Sequence, residues 1–134
     1  MSKVKPARFL KRMFKARATG FQVGESVVVN AGVRDPDFGD DIGGWHGRVA
    51  AVRVKKNGNV MLDIEWDSQT LRQIPGALIE RCQDDGMDWS LMALAENEVD
   101  LTEPRDTRAD VEQAKGEIMA LFVREFSGEQ GRGI

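Results

Sequence analysis

The run from Gly47 to Trp66, GRVAAVRVKKNGNVMLDIEW, constrains this chain more than any other stretch. Its second half alternates strictly. Val60, Leu62, Ile64 and Trp66 share one parity; Met61, Asp63, Glu65 and Asp67 share the other. Side chains of a β-strand point to opposite faces in turn, so the first set is predicted to face a core and the second to face solvent. Asn57-Gly58 separates two apolar runs and predicts a two-residue hairpin turn, because both residues tolerate positive φ. In the first half the apolar parity slips between Val49 and the pair Val52 and Val54. One extra residue near Ala50-Ala51 accounts for the slip, and such a β-bulge bends a small sheet. Upstream, VGESVVVN (Val23 to Asn30) reads as a third strand, since its three consecutive valines favour strand over helix. Three antiparallel strands so close in sequence predict a small closed barrel.

The flanks differ sharply in charge. Residues 1–20 hold seven cations (Lys3, Lys5, Arg8, Lys11, Arg12, Lys15 and Arg17) and no acid, whereas residues 83–134 hold five basic and thirteen acidic groups. That asymmetry describes charged arms on a nearly neutral body. Residues 3–17 are predicted as a basic helix with Val4, Ala7, Leu10, Met13 and Phe14 on its apolar face. Thr70 to Ile74 reads as a short fourth strand. Pro75 is suited to the first turn of a helix running to about Gln83, with Leu78, Ile79 and Cys82 on one face. Asp88 is placed to cap a further turn, Trp89 to Met92, and Glu98 to Leu101 to add a closing strand. Thr107 and Asp110 form a capping box ahead of an amphipathic helix bearing Val111, Ala114, Ile118, Leu121, Phe122 and Phe126. The organisation expected is a basic helical arm (1–20), a barrel with short inserted helices (21–101), a linker (102–106), an amphipathic helix (107–126) and a flexible tail (127–134).

Composition excludes several kinds of chemistry. A chain of 134 residues fits one domain. With Cys82 as its single cysteine and His46 as its single histidine, it has no internal disulfide, no cysteine-based zinc site and no site built on two imidazoles. No apolar run approaches the roughly 18 residues that span a bilayer, so no integral membrane association is expected. The acid-free basic N-terminus also fits an organellar transit peptide; a bacterial-type cytoplasmic protein is the preferred reading. No phosphate loop, dinucleotide fingerprint, triad elbow or zinc spacing is present, and the chain is read as non-enzymatic, with no cofactor.

The strand-loop-strand from Val27 to Val54 resembles the KOW motif of SH3-like barrels, with Gly47 as the central glycine ahead of Arg48-Val49. The wider pattern FQVGESVVV, GGWHGRV and IEWDSQTL is similar to small bacterial proteins of this barrel type. The resemblance covers residues 21–75 and implies an SH3-like antiparallel barrel of about five strands. KOW and Tudor-type barrels serve in ribosomal proteins, transcription factors and peptide readers, and as accessory parts of enzymes. Here the inter-strand loop is longer and acidic, where nucleic-acid-binding members carry basic residues. That departure argues against nucleic acid as the barrel's own ligand.

Four groups of residues are candidates for function. In the 33–46 loop, Asp35, Asp37, Asp40 and Asp41 can either direct carboxylates at a calcium ion or simply shape a solvated turn; the helix-loop-helix calcium pattern fails at Gly39 and His46. Phe38, Trp45 and His46 supply aromatic and imidazole surface near the turns, suited to a peptide or a base. The seven N-terminal cations can contact phosphates, an anionic surface or the acidic half of the same chain. The C-terminal helix (Ile118, Leu121, Phe122 and Phe126) can dock on the barrel, on the N-terminal helix, on a larger assembly or on a second copy through residues 111–126. The function expected is therefore a binding module for a protein or nucleic acid; the alternatives are an accessory subunit docked by its last helix and a calcium-binding protein.

Overall fold

The computed structural model describes residues 20–133, with side chains described for 20–122. The predicted basic helix and its seven cations lie outside the described residues. Five strands form one antiparallel sheet: β1 (Ser26–Val29), β2 (His46–Val54), β3 (Val60–Trp66), β4 (Leu91–Ala95) and β5 (Val99–Leu101). Their order is β4-β3-β2-β1-β5, so β4 and β5 are the two edges and the hydrogen-bonded sheet is open. Three α-helices accompany it: α1 (Ser68–Leu71), α2 (Gly76–Asp84) and α3 (Arg108–Gly133).

The alternation of β3 holds along its length. Leu62, Ile64 and Trp66 have no solvent exposure, and Val60 is buried with them. Complete burial of such a side chain contributes about 1.5–3 kcal/mol, which is why this strand sets the centre of the core. Val27, Val49, Leu94 and Ile42 close around it from the neighbouring elements. The β2–β3 register shifts between Val49 and Ala51, the bulge that the parity slip requires. Past the bulge β2 pairs only with β3, and before it β2 pairs with both β1 and β3.

The β2–β3 turn departs from the two-residue expectation. Lys55 N donates to Asn59 O, and Gly58 N donates to Lys55 O. Only Gly58 has positive φ, while Asn57 stays in ordinary space. This is a three-residue loop closed by a left-handed glycine, which suits the strand twist equally well. Gly47, the central glycine of the KOW-like element, is held by strand pairing rather than by a turn. It lies within β2 opposite Trp66, and a Cβ there would come 2.5 Å from Glu65 O and 2.6 Å from Ile64 Cγ2. Close packing of backbone on backbone, rather than a turn, requires the glycine.

Two further expectations are corrected. Thr70 to Ile74 is not a strand: Asp67, predicted to face solvent, is buried and caps α1 by accepting from Thr70 N at 2.8 Å. A side-chain acceptor at that position favours helix over strand. Trp89 to Met92 is not a helical turn, because Asp88 accepts from both Ser90 N and Ser90 Oγ and turns the chain directly into β4. Between Val29 and His46 the chain holds turns and one isolated bridge, Arg34 with Asp41, and no helix or strand; Ile42 N donates to Val33 O, and Ile42 is fully buried. The Thr107–Asp110 capping box does form, with both reciprocal hydrogen bonds. The helix it opens carries Val111 and Ala114 into the core and continues to Gly133.

Candidate functional site

The 33–46 excursion folds as a short hairpin whose tip is organised by one carboxylate. Asp35 is 4% exposed, and its Oδ1 accepts from Asp37 N at 2.7 Å and Phe38 N at 3.3 Å. Asp35 N donates to Asp40 O at 2.7 Å and closes the tip. An aspartate that folds the chain back on its own amides is the usual side-chain-stabilised turn. Asp41 accepts from Gly43 N, and Asp40 pairs with Arg81 at 2.9 Å. The carboxylates of Asp35, Asp40 and Asp41 are thus engaged separately, and among the described residues no three acidic, histidine or cysteine side chains assemble as a metal site.

This hairpin presents Phe38 and Trp45 to the segment that links α2 to β4. Phe38, Trp45, Trp66, Met87, Trp89 and Met92 line one hollow of about 20 Å³, with Asp35, Asp37 and Asp88 also contributing to its wall. Trp45 meets Trp66 edge to face, with ring centroids 5.1 Å apart at 82°, the arrangement that aromatic quadrupoles prefer. Trp66 is fully buried, and its Nε1 has no hydrogen-bond partner among the described residues. Phe38, Trp45 and Trp89 are only partly buried and keep ring surface at the mouth. One cation already uses that surface: the Arg81 guanidinium lies 4.7 Å from the centre of the Phe38 ring. A guanidinium over an aromatic face is attracted by the negative ring centre.

His46 does not join Phe38 and Trp45. As the first residue of β2 it belongs to a polar seam between that strand, α1 and the 102–106 segment. Its backbone N donates to Thr70 Oγ1 at 3.0 Å, and its backbone O accepts from Asp67 N at 2.9 Å. Arg105 grips Asp67 with two nitrogens, at 2.8 and 2.9 Å, and reaches Thr70 Oγ1 at 3.1 Å. Beside it Asp106 accepts from Ser68 N at 2.6 Å and pairs with Arg48 at 2.8 Å. Bidentate arginine–carboxylate pairs combine charge and geometry, so the seam clamps the linker to the sheet. Burial alone would raise the Asp67 carboxyl, but hydrogen bonds from Arg105 and Thr70 outweigh it and hold the group below the usual carboxylate range. Burial, followed by the charge of Arg105, lowers the His46 imidazole, with Asp67 opposing. The neutral imidazole is favoured there, with Nδ1 unpartnered among the described residues.

The other candidates fall into place around these two features. Cys82 is buried in the core, and burial, then Asp35 and Asp37, push its thiol up and away from thiolate chemistry. Ile118 and Phe122 pack against the chain's own core, whereas Leu121 is 54% exposed. A broader groove of about 460 Å³ lies along Val23, Arg48, Glu65 and Arg108, where Arg48 pairs with Asp106 and Arg108 with Glu65. Sequence reasoning missed Asp67, Arg105 and Asp106 because only the fold brings β3's end to the linker. It also separated Trp89 from Trp45, although a tryptophan after a glycine and an aspartate, in a segment too short for a helix, was the available signal. Among the described residues, no helix is long and apolar enough to cross a membrane. No protein-family model, no curated protein and no solved structure matches this chain.

Proposed function

We propose that this protein is a binding module built on an SH3-like, KOW-type sheet, and that it recognises a protein partner through the aromatic hollow at the hairpin end. The reading of the fold is supported by the strand order and by the bulged β2, which ladders with β1 at one end and with β3 along its length. A bulged central strand is how a small sheet bends toward a barrel.

One observation carries the functional reading: three partly buried aromatic rings and the carboxylates Asp37 and Asp88 converge on one exposed mouth. The hollow admits a group no larger than a water, so a partner's side chain lies across the rings rather than within. The chemistry favours a cation, since each aromatic–cation contact contributes about 0.5–2 kcal/mol and the acids add long-range attraction. Phosphate is disfavoured at the same place by charge. The seven cations of residues 1–20 remain a separate, salt-sensitive contact in this reading.

Tryptophan fluorescence and amide NMR titrations with penta-lysine, penta-arginine and penta-glutamate test the reading. The expected result is saturable change at Trp45 and Trp89 with the two cationic peptides and none with penta-glutamate. Equal response to all three, or none to any, would refute it. Retention on heparin, compared before and after deletion of residues 1–17, measures the arm independently.

A further inference from the structure

The two edges of the sheet are not equivalent. The β5 edge is three residues long, carries Asp100 at its centre and is followed by Pro104. Short, charged edges close to proline resist pairing with a further strand. The β4 edge, LMALA, has five residues with no charge and no proline, and among the described residues it pairs only with β3.

The ladder shows which backbone groups β4 leaves outward. Trp66 N donates to Ser90 O at 3.1 Å, and the register continues as Ile64 with Met92 and Leu62 with Leu94. In an antiparallel ladder hydrogen-bonded pairs alternate with non-bonded pairs, so Met92 and Leu94 direct N–H and C=O at β3. Leu91, Ala93 and Ala95 direct theirs away. Two of those three N–H groups are already used: Leu91 N donates to Asp88 O and Ala95 N to Glu98 Oε1. Among the described residues Ala93 therefore offers both its N–H and its C=O at the middle of the edge, flanked by the carbonyls of Leu91 and Ala95. The same strand begins at the aromatic hollow, whose wall includes Leu91 and Met92. Acids stand at both of its ends, Asp88 before it and Glu96 after it.

We infer that β4 receives an added antiparallel or parallel strand from a partner protein: an extended segment with small or apolar residues at its centre and lysine or arginine at its ends. This rests on the binding-module reading and names the partner's form. Main-chain hydrogen bonds to Ala93 supply register, and terminal cations reach the hollow and the flanking acids, as in other strand additions where pockets read alternate side chains. Charge complementarity selects this occupant over a second copy of the chain, because an antiparallel β4–β4 pairing brings Asp88 of one copy toward Glu96 of the other.

The test uses the full chain and a fluorescein-labelled Lys-Val-Ala-Val-Lys peptide, with Glu-Val-Ala-Val-Glu as control. Ala93→Pro removes the central outward N–H; on an edge strand with that N–H facing out, proline is compatible with the fold. The expected result is at least a tenfold loss of anisotropy-measured affinity in Ala93→Pro with an unchanged melting temperature, and a similar loss in Trp89→Ala. A loss in Trp89→Ala with wild-type affinity in Ala93→Pro would overturn strand addition while leaving the hollow intact. Wild-type affinity in both variants, or no preference for the basic peptide, would overturn both readings. A concentration-dependent dimer abolished by Ala93→Pro would make a second copy the occupant and overturn the peptide. Should Ala93→Pro unfold, Ala93 N-methylation in a semisynthetic chain removes the same donor and decides in the same terms.

Discussion

The polar seam and the aromatic hollow flank the same β2–β3 hairpin, yet they are built on opposite rules. In the seam, Asp67, Arg105, Thr70, Ser68, Asp106 and Arg48 all engage one another across α1, β2 and the linker. Such a cluster holds the molecule together and has little left to offer a ligand. In the hollow, aromatic faces and carboxylates lie side by side; Arg81 stacks on Phe38 and Ser90 occupies one oxygen of Asp88, while Phe38, Trp45 and Trp89 are only partly buried. The difference teaches that a group's engagement, rather than its chemical type, separates scaffold from the proposed contact surface here. The histidine and the arginines look more reactive than Phe38 or Trp89, but the fold has assigned them to the scaffold.

Breaking the scaffold side gives the largest effects. Gly47→Ala forces a methyl group against Glu65 O and Ile64, and Asp67→Ala removes both the α1 cap and the partner of Arg105. Each is expected to cost about 3 kcal/mol, read as a lowered urea midpoint at constant slope. A midpoint unchanged in Asp67→Ala would mean that the seam is decoration. The hollow behaves conversely: Trp89→Ala should weaken penta-arginine binding about tenfold while shifting stability by less than the seam variants do. A Trp89→Ala protein as unstable as Asp67→Ala would erase the distinction between the two regions.

Acid sharpens the same contrast. His46 has a folded pKa below its ordinary 6.5, so its contribution to stability is complete above that value and declines as pH falls toward the folded pKa. Asp67 has a folded pKa below its ordinary 3.8, so its contribution is complete above that value and is lost as pH falls through the folded pKa. Stability is therefore expected to decline in two stages on acidification. His46→Gln should remove the first in pH-dependent unfolding and Asp67→Asn should shrink the second, to which Asp110 and Glu117, also held below the ordinary carboxylate range by their hydrogen bonds, contribute; a profile unchanged by either substitution would contradict the assignment. The smallest effect is expected at Arg81. Both partners of its pair with Asp40 are more than two-fifths exposed, so Arg81→Ala should cost under about 1 kcal/mol. By freeing the Phe38 ring it should tighten penta-arginine binding about twofold, and weaker binding would show that Arg81 is part of the site rather than a competitor for it.

The legible part of the fold was the part governed by nearest neighbours. Alternation in β3, the bulge at Ala50-Ala51, the apolar face Leu78, Ile79 and Cys82, and the Thr107–Asp110 box all depend on spacings of a few residues, and all formed as read. The illegible part was misread wherever a distant group intervened. Asp67 looked like the outward end of a strand, but Arg105, thirty-eight positions later, stabilises it as a buried cap. Of the predicted site, Phe38 and Trp45 came together, His46 was diverted to the seam, and Trp89 joined from a segment read as helix.

Sequence alone settled that this polypeptide makes an antiparallel sheet around β3, because the pattern of apolar and polar residues permits one strand face and one only to leave water. Tertiary structure decided which of its charged and aromatic groups remain free to meet another molecule. Whether a carboxylate or a ring is already satisfied depends on partners far along the chain, and no local spacing encodes that.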